Sequence, residues 1–240
     1  MTMPVEGANV QLVVFDLMGT LIEDSGIVAR AYDAALKDVG LTPDSDEFSA
    51  ARQRVDALRG RPTLVVLSEV LGDPVLAEEA TWAFDDSILS AVPEMTEIEG
   101  AGDVLEALGS QGILLAVTTS FTVEVRRSVL SHMGWTDRFA ATLSAHGVRR
   151  GHPAPDLLLQ AILELRIDSV SQVTIVGDSP TDLVAGNRAG AGLVVGVRSG
   201  HAATVALEAA PHTHLIDSVA QLSEVLEAPR EVGQRRTSDR

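Results

Sequence analysis

The chain has 240 residues, 45% of them hydrophobic, which suffices for a sizeable buried core, either one large domain or a core with a smaller insert. Its 34 acidic against 18 basic residues give a net charge of −16, a surface that repels phosphate backbones and anionic lipid and so argues against nucleic-acid or membrane partners. The absence of cysteine excludes a disulfide framework and thiolate chemistry.

The N-terminal MTMPVEGANVQ has neither a basic stretch nor an apolar run typical of a secretory signal, and no apolar run approaches the ~18 residues of a membrane span. A cytoplasmic protein is the expectation. The first strand is expected at Leu12 to Phe15, a short apolar run that ends in Asp16 and is followed by Met18, Gly19 and Thr20. Residues from about Ile27 to Val92 then read as helical, with breaks at Gly40 to Pro43, Gly60 to Pro62 and Gly72 to Pro74. This stretch is too long for an ordinary crossover and is expected to be an inserted helical subdomain. Further strands are expected at Ile113 to Val117, Val173 to Val176 and Leu193 to Val197, with helices at Val104 to Leu108, Val123 to Met133 and Leu157 to Leu165. The segment HLIDSVAQLSEVL reads as a last short strand and a helix beginning near Asp217. The alternation predicts an α/β fold with a parallel sheet. The expected division is a Rossmann-like core over 1–24 and 94–228, a helical insert over 25–93, and a polar tail at 229–240 expected to be disordered.

In open α/β sheets ligands bind beyond the carboxyl ends of the strands. Asp16 ends the first strand there, Thr118, Thr119 and Ser120 end the second, and VTIVGDSPTDLVAGNRAG puts Asp178 in a turn and Asp182 in the first turn of a helix. Carboxylates converging on one crevice repel each other and are best explained by a hard cation such as Mg²⁺, the usual partner of a phosphoryl group.

The motifs DLMGT, AVTTS, GHPAPD and GDSPTDLVAGNRAG, in this order, resemble the four motifs of the haloacid dehalogenase (HAD) superfamily of hydrolases over roughly residues 10–226. The helical insert directly after the first motif stands where that superfamily carries its cap. The resemblance implies Asp16 as the nucleophile of an aspartyl-phosphate mechanism. It also implies Mg²⁺ held by Asp16, the Met18 backbone carbonyl and Asp178, with Asp182 on the ion or one layer behind it. Thr119 and the Ser120 backbone N–H would hold the phosphoryl oxygens.

Two positions depart from the pattern. Phosphatases of the superfamily usually carry a second Asp where this chain has Met18, and loss of such a general acid costs about 10²- to 10⁴-fold. The phosphonoacetaldehyde hydrolase group also lacks that Asp, and GTLIEDSGIVARAY and AVTTSF resemble its sequences. That group's Schiff-base lysine is missing here: Thr63 stands near its place, and the single lysine, Lys37, is on a different predicted helix. The chain therefore resembles a phosphonatase-like branch without the phosphonatase lysine. In GHPAPD, His152 replaces the usual lysine or arginine before the proline. His152, kept protonated by Asp16 and Asp178, would supply the missing cation, with Arg149 and Arg150 as the alternatives.

In the insert, Arg52, Arg54, Arg59 and Arg61 form two pairs seven residues apart, each sharing a face if the helix persists. The plainer reading is a solvated face; the sharper one puts Arg59 or Arg61 in the crevice on an anionic substrate. His201, His212 and His214 are read as surface or loop residues, and Trp82, Trp135 and Tyr32 as packing residues. The function expected is Mg²⁺-dependent hydrolysis of a small phosphorylated or phosphonate metabolite, with the missing proton coming from the substrate, Glu23 or a residue of the insert. The alternatives are a weakly active or inactive binding protein on the same fold and, less favoured, a dehalogenase. The apolar insert would also support a homodimer.

Overall fold

A computed structural model describes residues 10–145 and 150–228, so Arg149 and the expected disordered tail at 229–240 lie outside the described residues. Six parallel strands form one sheet in the order β3-β2-β1-β4-β5-β6. They are β1 Leu12–Phe15, β2 Leu114–Thr119, β3 Ala141–Ser144, β4 Val173–Gly177, β5 Leu193–Val197 and β6 His214–Ile216. The helices are α1 Ile27–Asp38, α2 Asp46–Leu58, α3 Thr63–Leu71, α4 Pro74–Ala91, α5 Ala101–Ser110, α6 Val123–His132, α7 Asp156–Glu164, α8 Pro180–Ala189, α9 Thr204–Ala209 and α10 Leu222–Glu227. This is the parallel α/β architecture expected from the sequence.

The sheet is covered on both faces, which is why its strands are nearly continuous apolar runs. Alternation along β1 divides the core: Val13 and Phe15 join α5, α6 and α10 on one face, while Leu12 and Val14 join α7, α8 and α9 on the other. Strand order reverses direction around β1, whose neighbours are β2 and β4. The crevice beyond the carboxyl ends of these three strands is the switch point where such sheets bind ligands.

Of the first four helices after β1, α1, α2 and α3 end at the three predicted breaks. Ser45 caps α2 by accepting from the Phe48 N–H at 3.1 Å, and Asp73 caps α4 by accepting from Val75 and Leu76. Their interior is built on Tyr32, Leu36, Val55, Leu67, Phe84 and Ile88, with the Tyr32 and Phe84 ring centroids 4.7 Å apart. This cluster is continuous with the α5/α6 face of the sheet core.

Three expectations differ from the structure. β3 carries no sequence prediction, because ATLS is only four residues long and half polar, yet it adds to the edge of β2 in parallel register. The last helix begins at Leu222 rather than Asp217, since Ser218 instead caps a 3₁₀ turn at Val219–Gln221. α2 stops at Leu58, so the Arg52/Arg59 and Arg54/Arg61 pairs share no helical face. Arg52 pairs with Asp33 at 2.7 Å, and Arg54 donates to the Val70 and Glu69 carbonyls.

α8 lies unusually close to the sheet. A Cβ on Gly186 would sit 2.2 Å from Ile175 Cγ2 and 3.2 Å from Val194 Cγ2, so only glycine lets the helix approach β4 this closely. Gly186→Ala is expected to lower stability by about 1–3 kcal/mol through overpacking. Urea unfolding measures this, and a variant as stable as the parent would show that the α8–β4 contact relaxes freely.

Candidate active site

The crevice lies between the carboxyl edge of the sheet and the α1–α4 helices. Its polar floor is Asp16, Thr119, Ser120, Asp178, Ser179, Asp182, His152 and His201; Met18, Val28, Tyr32, Phe84, Phe121 and Pro62 supply apolar walls. The internal space is about 50 Å³, several times the roughly 10–15 Å³ that one water requires and on the scale of a phosphoryl group.

Asp16, Asp178 and Asp182 each direct a carboxylate oxygen to one point, the three atoms lying within 4.8 Å of one another. Burial pushes the Asp16 carboxyl well above its ordinary range, the charges of Asp182 and Asp178 raise it further, and the Leu17 backbone N–H offsets this only in part. Asp178 is also raised by burial, opposed chiefly by its hydrogen bond with His201. A hard divalent cation fits this oxygen-only cluster, because its charge would offset both the burial and the repulsion that hold the carboxyls up.

The three acids are held differently. Asp182 closes a capping box on α8: its Oδ2 accepts from the Ser179 N–H at 3.0 Å and the Ser179 hydroxyl at 2.7 Å. Its Oδ1 is 2.6 Å from His152 Nδ1. Asp178 Oδ2 accepts from the His201 N–H at 3.0 Å and lies 2.9 Å from His201 Nδ1. Asp16 has no side-chain hydrogen-bond partner among the described residues, its contact being the Leu17 backbone.

Several sequence expectations change here. His152 is buried and reaches Asp182, not Asp16 or Asp178, because the α8 capping box brings Asp182 beneath it. Its Nε2 is buried without a partner among the described residues. Arg150 faces away from the crevice and is bound through two nitrogens to Asp156, at 3.1 and 2.9 Å. Arg59 lines the crevice and pairs with Asp24 at 2.6 Å, both largely buried, whereas Arg61 lies outside it and pairs with Glu69 at 3.0 Å. Glu23 is exposed and Lys37 is exposed on α1; neither lines the crevice.

Three site residues were read from the sequence as surface or packing groups, or not singled out. His201, read as a loop histidine, sits on Asp178 because the loop after β5 folds back over β4. Asp24, which also caps α1 through the Val28 N–H at 3.0 Å, becomes the anchor of Arg59. Tyr32 lines the crevice, with its phenol pushed up to about 12 by burial, eased by Thr63 and Arg59, so it remains a neutral donor. Adjacent hydroxyls and acids in GDSPTD were the available signal for the Ser179 network; nothing local in SGHAAT pointed His201 toward Asp178.

The loop between α2 and α3 is fastened to the sheet at this place. Gly60 has φ +86°, and a Cβ there would lie 2.3 Å from Thr181 Oγ1. The Thr181 hydroxyl donates to the Gly60 carbonyl at 3.0 Å and contacts Ser179 Oγ at 2.7 Å. Gly60 thus joins the helical insert to the same hydroxyl pair that holds Asp182.

Comparison with known proteins agrees with this geometry. Over 218 residues the chain is 29% identical to "Probable phosphatase IndB" of Dickeya dadantii, covering 88% of this chain and 91% of that protein. It is 29% identical over 181 residues to a phosphoglycolate phosphatase of Aquifex aeolicus, covering 75% and 81% of the two chains. In fold it matches a crystal structure of a hydrolase from Pseudomonas syringae with a TM-score of 0.79 at 21% identity, over 92% of this chain and 100% of that one. Residues 10–190 match the haloacid dehalogenase-like hydrolase family, and with that match over most of its length the chain belongs to the haloacid dehalogenase-like hydrolases.

Proposed function

We propose that the protein is a Mg²⁺-dependent cytoplasmic phosphohydrolase that transfers the phosphoryl group of a small phosphorylated or phosphonate metabolite to Asp16 and then to water. The observation that carries this reading is the meeting of Asp16, Asp178 and Asp182 at the ends of β1 and β4, opposite Thr119 and Ser120 at the end of β2. Of the three acids, Asp16 is the one whose oxygens no side chain holds, so it is free to approach phosphorus in line.

Asp16, the Met18 carbonyl and Asp178 would hold the cation, which when bound neutralises the phosphoryl oxygens and the crowded carboxylates. Asp182, with both oxygens engaged by Ser179 and His152, is proposed to stand one layer behind and to fix those two groups. The Thr119 hydroxyl and the Ser120 N–H hold the remaining phosphoryl oxygens. His152 presents its unpartnered Nε2 to the phosphoryl group in the place of the family's lysine or arginine. The Asp24–Arg59 pair closes the edge of the crevice and lets Arg59 attract an anionic substrate.

The phosphonatase-like branch remains part of this proposal on the sequence resemblance, without the Schiff-base route, since no lysine lines the crevice among the described residues. One observation favours a second reading, a weakly active or inactive binding protein: Met18 occupies the crevice wall with no carboxyl to protonate the leaving oxygen.

Two measurements test the first reading. Phosphate release from a panel of phosphomonoesters, acyl phosphates and phosphonates is expected only with Mg²⁺, and Asp16→Asn is expected to remove at least about 10³-fold of it. Release that persists in Asp16→Asn excludes Asp16 as nucleophile; no release from any substrate favours the binding protein. The electrostatics give a separate expectation. A carboxyl raised in the folded state stabilises the fold below its unfolded value and loses that contribution as pH rises through the raised value. Asp16→Asn is therefore expected to melt higher than the metal-free parent at pH 8, with a smaller advantage at pH 5. Calorimetry decides, and equal shifts at both pH values would contradict mutual repulsion at the site.

A further inference from the structure

The closed crevice has a second, much larger neighbour. A groove of about 800 Å³ runs between α3, α4 and the loops around Thr122 and Pro153, and it shares Pro62, Ser120, Ala145, Gly151 and His152 with the crevice. The shared residues mean that a group leaving the phosphoryl site past His152 enters this groove directly. Its wall is apolar and exposed: Trp82 is 66% exposed, and Leu64 and Val65 are each 42% exposed. The sequence reading of Trp82 as a packing residue is therefore corrected. It lies on the solvent face of α4, opposite the face that buries Phe84 and Ile88.

The arginines at the groove already have partners. Arg61 is neutralised by Glu69 and Arg150 by Asp156, while Arg188 donates to the Pro153 carbonyl. Beside the carboxylates of Glu78 and Asp85, the groove offers a flat indole with two aliphatic side chains, a surface that suits an aromatic ring. Met18 adds an independent chemical argument. A crevice without a carboxylic acid near the leaving oxygen favours a leaving group that departs as a stable anion, and phenolates do so far better than alkoxides.

Resting on the phosphatase reading above, we propose that the substrate is an aryl phosphomonoester whose ring lies in the groove against Trp82, Leu64 and Val65. Asp16 forms a bond to phosphorus as the aryl P–O bond breaks; the phenolate leaves with that electron pair and takes its proton from solvent. Water then attacks phosphorus, the bond to Asp16 breaks, and phosphate is released with the water's proton passing to it or to solvent. No oxidant or further reactant is needed.

The test compares substituted phenyl phosphates with acetyl phosphate, which has a better leaving group but nothing to fill the groove. Phenyl esters are expected to show a KM about tenfold below that of acetyl phosphate, the scale of one aromatic contact. Trp82→Ala is expected to raise KM for phenyl phosphate about tenfold more than KM for acetyl phosphate. Across phenols spanning about three pKa units, kcat/KM should fall by about 10²-fold, and Met18→Asp should flatten that dependence. Binding without turnover is read in Asp16→Asn, where phenyl phosphate should change the emission of exposed Trp82, Trp135 being buried.

If acetyl phosphate is hydrolysed through Asp16 but phenyl esters have no lower KM and Trp82→Ala affects both alike, the aryl proposal falls and the phosphatase stands. If no substrate is hydrolysed through Asp16, both fall. If Trp82→Ala splits a sedimenting dimer and leaves the KM ratio unchanged, the groove is the seat of a second copy and the proposal is overturned.

Discussion

Three carboxylates that repel one another are forced together by strand geometry, and the rest of the site is arranged around that strain. β1 delivers Asp16, β4 delivers Asp178, and the first turn of α8 delivers Asp182, with reacting atoms within 4.8 Å. Burial raises both Asp16 and Asp178, and repulsion adds to it: from Asp182 and Asp178 on Asp16, and from Asp182 on Asp178. Two of the acids are compensated by neighbours, Asp182 by Ser179 and His152 and Asp178 by His201. Among the described residues Asp16 has no such side-chain partner. That uneven distribution of hydrogen bonds is what supports the proposal of Asp16 as the reacting acid.

The same hydroxyl network reaches the helical insert. Thr181 binds the Gly60 carbonyl while touching Ser179, which in turn holds Asp182. Arg59, the neighbour of Gly60, is bound to Asp24 in a pair whose loss on one side would cost about 3–5 kcal/mol, since the other charge is left largely buried. The insert is thus tied to the core through two adjacent residues, Arg59 and Gly60, at the crevice. The loop that lines the crevice is thereby bonded to the hydroxyls beside Asp182.

Much of this was legible in the sequence, and the failures share a physical cause. Strands buried on both faces announce themselves as apolar runs, so β1 and β5 were readable to the residue; Gly and Pro breaks likewise marked the ends of α1 to α3. Asp16, Thr119, Asp178 and Asp182 were legible because the order of strand ends fixes which residues meet. β3 was not, being a short half-polar edge that is a strand only because β2 is beside it. His201, Asp24 and the outward face of Trp82 were hidden for the same reason. Each owes its place to a loop fold or a helix rotation set by distant contacts, and no local pattern encodes those. Arg59 and Arg61 show the limit well: two residues apart on one loop, one faces the crevice and the other a surface glutamate.

Met18 and His152 look like separate losses when set against the family pattern, but the structure gives them a common consequence. Methionine removes a proton donor near the leaving oxygen and adds an apolar wall. Histidine replaces a long flexible cation by a ring pinned at Nδ1 by Asp182, its other nitrogen buried without a partner among the described residues. A pinned ring cannot follow a leaving group as it departs, and a thioether cannot protonate it. On the reading proposed above, both substitutions move the burden from the enzyme to the substrate, which must bring its own good leaving group and its own affinity for the groove beyond His152. Specificity then arises from what the crevice has given up as much as from what it retains: an alkyl phosphate small enough to fit the 50 Å³ chamber would bind there, yet find nothing to help its oxygen leave.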